Sequence, residues 1–291
     1  MVAGECICTW YWLADLCAPE GSACVLGHAL SMKAIQGGKA KNDKLDSHKV
    51  AVLRRGGTWP MADGYPPQRR APRDLLRRRC PLMRKRAELL AHSQNTDSQY
   101  PLPEFGKQVA SKGHREGVAE HFPAPSVRKT MAGDLALSAP YDHLLSDLEL
   151  YLARTAKQHA VNASSRLRAV PGIGKVLALG MLYEGQASER VPRVQDLVSS
   201  CRLVKCAKES AGKRHGLWGK KIGNAHLKGA FSAAAVLSLR QNKPGQAYCA
   251  KLEGKHGTGR ALSVLAHNRA RAGYYLLTRE QAFDLRRLVS A

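Results

Sequence analysis

The chain has 291 residues, with 46 Lys and Arg against 23 Asp and Glu, for a formal net charge of +23. That excess attracts polyanions, of which nucleic acid is the commonest large one, and a binder without chemistry would share it. No apolar run approaches the ~18–20 residues that span a bilayer, and the start has no basic n-region of a signal peptide, so neither a membrane partner nor export is expected.

Eight cysteines stand at positions 6, 8, 17, 24, 80, 201, 206 and 249, without a C-x-x-C pair. Zinc sites need closely spaced pairs for tetrahedral convergence, so reduced cysteines are expected instead.

Residues 1–57 read as α/β. Cys6 to Thr9 ends a strand, Trp12 to Cys17 begins a helix, and Ala23 to Leu26 is a short apolar strand. From Asp43 a helix follows, with Leu45, Val52 and Leu53 near one face and Gly56-Gly57 as its stop. Residues 58–68 form a Pro/Gly connector. Arg69 to His92 is a basic helix, with nine basic against two acidic residues between Arg69 and Glu88; Pro81 predicts a kink or a break. Its sparse acids favour a polyanion-facing element, with Arg77, Arg78 and Arg79 as contacts, over a merely solvated face.

Residues 93–140 are polar and broken by prolines, which predicts a linker. Tyr141 to Leu167 is helical, with Leu144, Leu145, Leu148 and Leu152 at helical spacing: a coiled-coil arm or an ordinary packed helix. The rest reads as a compact helical domain without strands, with helices over about 224–240 and 259–277. The expected division is therefore 1–95, 96–167 and 168–291.

Three motifs carry chemistry. Pro171-Gly172-Ile173-Gly174-Lys175 precedes an apolar helix. Its glycines would let the backbone approach a phosphate at a helix N-terminus, as in a helix-hairpin-helix, although a plain interhelical turn also uses glycine. Asp43 and Asp46 stand at i and i+3, able to offer hard oxygens to Mg²⁺ or simply to favour a helix start. Ser210, in Lys208-Glu209-Ser210-Ala211-Gly212-Lys213-Arg214, could attack a phosphodiester with Lys213 and Arg214 beside the charge that develops. A loop serine is also an ordinary structural residue.

The order of the pieces is more informative than any one of them. Glu5 comes first, then Trp10-Tyr11-Trp12-Leu13-Ala14-Asp15, then Gly37-Gly38-Lys39-Ala40-Lys41-Asn42-Asp43-Lys44-Leu45-Asp46. Pro171 to Gly174, Glu209 to Gly212 and Lys221-Ile222-Gly223-Asn224 follow. In this order the chain resembles the DEDD insertion-sequence transposases that carry a catalytic serine, the family that includes the bridge-RNA-guided recombinases. The resemblance is strongest at 33–57 and 168–230 and patchy at about 93–140.

That resemblance implies an RNase H-like (RuvC-type) domain, a helical or coiled-coil arm, and a helical C-terminal transposase domain with a helix-hairpin-helix-like element. It implies Mg²⁺ held by Glu5, Asp43 and Asp46, and Ser210 forming a phosphoserine link to DNA. It further implies DNA, a guide RNA and a homo-oligomer as partners, in a bacterial cytoplasm at the nucleoid. The family's first acid precedes the position of Glu5, so the RNase H-like domain is expected to be incomplete at its start. Two rivals follow: a metal-dependent structure-specific nuclease that does not need Ser210, and a nucleic-acid-binding remnant without catalysis.

Overall fold

A computed structural model describes residues 1–6, 10–35, 42–62, 64–102, 109–159, 161–185, 191–218, 222–240 and 242–279. The expected end of the first strand at 7–9, the Gly37–Lys41 part of the second motif, and Lys221 lie outside them. The chain forms a mixed α/β part with small sheets and a largely helical part, divided into compact units Met1–Pro67 and Gln68–Ala291.

In the first unit, strand β1 (Val2–Glu5) pairs parallel with β2 (Cys24–Gly27), joined by helix α1 (Tyr11–Cys17). Helices α2 (Ala29–Ile35) and α3 (Asp43–Arg55) follow. The core is small: Met32, Leu53 and Trp59, with Ala3, Val25 and Val50 against them. The Trp59 indole donates to the Leu26 carbonyl at 3.1 Å, which satisfies its one polar atom inside that core.

The second unit opens with α4 (Pro67–Asp97), a 31-residue helix that continues through Pro72 and Pro81. Of the kink or break predicted at Pro81, the break is corrected: the helix is continuous there. A proline costs an interior helix about 3 kcal/mol. Here packing outweighs that local cost, since Leu76 and Leu90 on either side are buried.

The linker predicted over 93–140 is corrected too. Two short 3₁₀ turns, Lys112–His114 and Ala119–His121, lead into α5, a 35-residue helix over Pro125–His159. Val109, Val118, Phe122, Met131 and Leu135 form their own core with Leu90. Few apolar residues serve here and they are widely spaced, so a periodicity search passes over them. Pro125 sits at the first position of α5, where its missing N–H is no loss.

Next come α6 (Val161–Arg168), α7 (Lys175–Glu184) and α8 (Val194–Ser200). Then two strands, β3 (Cys206–Ser210) and β4 (Lys213–Trp218), form an antiparallel hairpin where only helix was expected. Its exposed, Lys/Arg-rich sequence lacks the alternation that marks a half-buried strand. Helices α9 (Ala225–Leu237), α10 (Lys243–His256) and α11 (Thr258–Thr278) close the unit around Leu167, Ile173, Phe231, Leu265 and Leu276. Asn224 and Asn242 cap α9 and α10 through their side-chain oxygens.

Among the described residues no helix is long and apolar enough to cross a membrane. Cys6, Cys17, Cys24, Cys80, Cys201 and Cys249 are free thiols, and burial pushes Cys201 up to about 12.

Candidate functional site

Ser210 lies at the tip of the β3–β4 hairpin. It pairs with Lys213 across Ala211-Gly212, and Glu209 pairs with Arg214. Ala211 and Gly212 both have positive φ, 51° and 72°, as a tight two-residue hairpin turn requires. For Ala211 that conformation costs on the order of 1 kcal/mol. A register shift at Lys208/Glu209, with Gly216 at φ 125°, places His215 in a bulge. Residues 209–216 are exposed. Ser210 is therefore exposed with Lys213 opposite it on the same face of the hairpin, while Arg214 pairs with Glu209 on the other face. Among the described residues no base hydrogen-bonds to it.

The Pro171–Gly174 turn joins α6 to α7, with Val170 and Ile173 buried in the core. Gly172 has φ 89°, and a Cβ there would meet the Ala234 carbonyl oxygen at 2.1 Å and the Ser238 amide at 2.6 Å. This glycine is thus needed for contact with the end of α9, a packing role. Gly174 differs. It is the exposed N-cap of α7, with nothing within 4 Å of its Cβ direction and no side-chain cap, next to exposed Lys175. Its side of the turn is open to a phosphate.

The basic helix α4 does more than face outward. Arg77 makes a forked pair with Glu184 at the end of α7, its Nη2 donating to Oε2 at 2.9 Å. Arg73 reaches the same carboxylate at 3.4 Å, and Asn224 Nδ2 donates to it at 2.7 Å. Glu184 is only 3% exposed. Burial works to raise its pKa, but the bonds from Arg77 and Asn224 and the charges of Arg77 and Arg73 outweigh it and hold the carboxyl below its ordinary value. Nearby His226 is held below its usual range, first by burial and then by Arg77. Arg79 Nε donates to Glu149 on α5 at 2.7 Å, whereas Arg78 is exposed.

Glu184 was not singled out by the sequence, and Asn224 entered only as the end of the Lys221–Asn224 motif, with no role of its own. The Arg73/Arg77 spacing of four and an Asn just before a helix were the available signals.

In the first unit Glu5 ends β1 opposite Gly27 and is half-buried. Asp43 and Asp46 lie in the first turn of α3, which Asn42 caps by accepting from the Leu45 amide at 2.7 Å. Lys49 Nζ approaches Asp46 to 3.4 Å. Among the described residues no group of three His, Cys, Asp or Glu side chains converges as a metal site would require. Asp43 and Asp46 offer hard oxygen donors within one helical turn. As placed, these acids do not complete a coordination shell.

Residues 164–250 match the transposase IS116/IS110/IS902 family, a stretch that takes in the Pro171–Gly174 turn, Glu184, the Ser210 hairpin and Asn224. The curated proteins compared with the chain give no match.

Proposed function

We propose that this chain is a DNA recombinase of the transposase type that cuts and rejoins DNA through Ser210. The observation that carries this reading is that the segment of transposase homology includes a hairpin whose tip exposes Ser210 between cations. In the step proposed, the Ser210 oxygen bonds to a DNA phosphorus and its proton passes to solvent or a base. The bond from phosphorus to a deoxyribose oxygen breaks, and that oxygen leaves as a hydroxyl. Lys213, paired opposite Ser210, would steady the charge on phosphorus, and Arg214 on the other face of the hairpin would add to the positive field around it.

Under the same reading the first unit is RNase H-like and its carboxylates Glu5, Asp43 and Asp46 are the candidates for Mg²⁺. The α6–α7 pair is helix-hairpin-helix-like, with Pro171, Gly172, Gly174 and Lys175 toward the DNA backbone. Arg77, Arg78 and Arg79 add to the positive field. Sequence choice would be delegated to a guide RNA, which suits a net charge of +23 without a recognisable base-reading module.

A second reading, a nucleic-acid-binding protein without catalysis, is favoured by one observation: the described acids do not converge on a metal. A covalent trap separates the two. The purified chain is incubated with Mg²⁺, end-labelled DNA carrying the element's junction and the RNA transcribed from the element. A denaturation-resistant protein–DNA adduct that Ser210→Ala abolishes is the expected result. Tight binding without an adduct would leave the binding reading, and cleavage that survives Ser210→Ala would point to a metal-dependent nuclease.

A further inference from the structure

Among the described residues, the two strands of the Ser210 hairpin pair only with each other, and residues 209–216 are exposed. Where the tip points is therefore decided at the base, where the chain leaves α8 and where it returns to α9. A five-residue strand is about 17 Å long, so a tilt of ~10° at its foot moves the tip by about 3 Å.

A residue in a costly conformation holds that base. Arg202 follows the end of α8 with φ 55°, the left-handed position that closes a helix and that glycine ordinarily fills. The Arg202 and Leu203 amides donate back to the Ser199 and Val198 carbonyls at 2.9 and 3.0 Å, which completes the helix stop. Backbone geometry alone would favour glycine there. What arginine adds is a side chain that crosses to the returning leg of the hairpin, where its Nε donates to the Gly223 carbonyl at 2.7 Å. From the other side the Asn224 amide donates to the Ser200 carbonyl, also at 2.7 Å. The legs come so close that a Cβ on Gly223, at φ 98°, would stand 2.5 Å from the Ser200 oxygen. Asn224 Nδ2 then anchors this base to buried Glu184 at 2.7 Å. A strained residue with a specific tie, in a helix stop that does not require it, points to a constraint beyond the stop itself.

We propose that Arg202, Gly223 and Asn224 are positioning residues for Ser210, clamping the two legs of its hairpin and fixing its direction against the Glu184 anchor. The Gly223-Asn224 end of the Lys221–Asn224 motif thereby takes on a role of its own. Such a role rests on Ser210 acting as the nucleophile proposed above, and one experiment separates the two.

Adduct formation in the covalent trap is timed at saturating DNA, beside DNA affinity and thermal melting, for two variants. Arg202→Gly relieves the strained stop and cuts the tie to Gly223. Asn224→Ser keeps an oxygen that caps α9 and removes the donor to Glu184. Each should melt within a few degrees of wild type and bind DNA within about twofold. Each should nevertheless form the adduct about tenfold or more slowly, because a misplaced reacting group loses rate and not binding. Arg202→Lys, which keeps a donor for Gly223, should recover most of the rate. An unchanged rate in either variant would overturn the clamp and leave the Ser210 reading standing, as would Arg202→Lys no faster than Arg202→Gly. A loss matched by an equal fall in DNA affinity would also overturn it, since the residue would then be a DNA contact. No adduct from the wild-type chain would end both.

Discussion

Asn224 accepts from the His226 and Leu227 amides with Oδ1 and donates from Nδ2 to Glu184 Oε2 at 2.7 Å. One side chain therefore caps α9 and ties its start to the end of α7. Because Arg73 and Arg77 hold the same carboxylate, Glu184 joins α4, α7 and α9 at one buried point.

Replacing Glu184 with Gln should cost about 2–3 kcal/mol, read as a lowered urea midpoint with unchanged slope. The change removes the buried charge that Arg73 and Arg77 share, while the remaining pair of Arg73 with Asp74 at 3.5 Å and the partial exposure of Arg77 limit the loss. The folded carboxyl sits below its ordinary value, so the wild-type contribution is present above the unfolded pKa and is lost as pH falls through the folded one. Asp142 acts in the same direction: burial raises its pKa, but Arg86 and Arg115 together bring it below the ordinary value. Glu184→Gln should therefore flatten the acid limb of the midpoint-against-pH curve. An acid limb identical to wild type would show that the Glu184 carboxylate contributes nothing there.

The two glycines of the 171–174 turn should separate cleanly. Gly172→Ala forces a Cβ onto the Ala234 carbonyl and should destabilise the second unit by about 3 kcal/mol or more. Gly174→Ala meets nothing and keeps a negative φ, so thermal stability should hold to within about 1 kcal/mol. If the α7 N-terminus receives a DNA phosphate, Gly174→Ala should still weaken DNA binding. Equal DNA affinity for Gly174→Ala and wild type would make the turn a packing device only.

Arg269 predicts a gain. It is 1% exposed on α11, with Nη2 donating to Ser238 at 3.1 Å while Nε and Nη1 have no partner among the described residues. Burial accordingly lowers its pKa. Arg269→Met keeps much of the side-chain bulk and removes two unsatisfied donors, so unfolding should become harder by about 1–2 kcal/mol. A loss of stability in calorimetry would mean that the guanidinium is better satisfied than this geometry allows.

The hairpin cations should act through charge alone. Lys213→Ala and Arg214→Ala lie on exposed strand positions and should leave stability within about 0.5 kcal/mol. If each neutralises one phosphate, the slope of log affinity for DNA against log salt should become shallower by about 1 per substitution. Unchanged slopes in fluorescence-anisotropy titrations would remove these two residues from the DNA contact.

Sequence alone determined what rests on composition or on neighbours a few residues apart. It gave the positive field, the helix of α3 starting at Asp43, the helices near 224–240 and 259–277, and a tight turn at Gly172. Charge is additive, and a helical face or a turn is specified within one or two turns of chain. Only the tertiary structure decided which cation meets which acid. Arg77 and Glu184 are 107 residues apart, and nothing local to either names the other. Only the fold assigned Gly172 to packing on α9, because the clash that forbids a side chain there comes from Ala234 and Ser238, more than 60 residues later in the sequence. The hairpin that exposes Ser210 was likewise hidden, since solvated strands need no apolar alternation and are held by backbone pairing that side-chain pattern does not record.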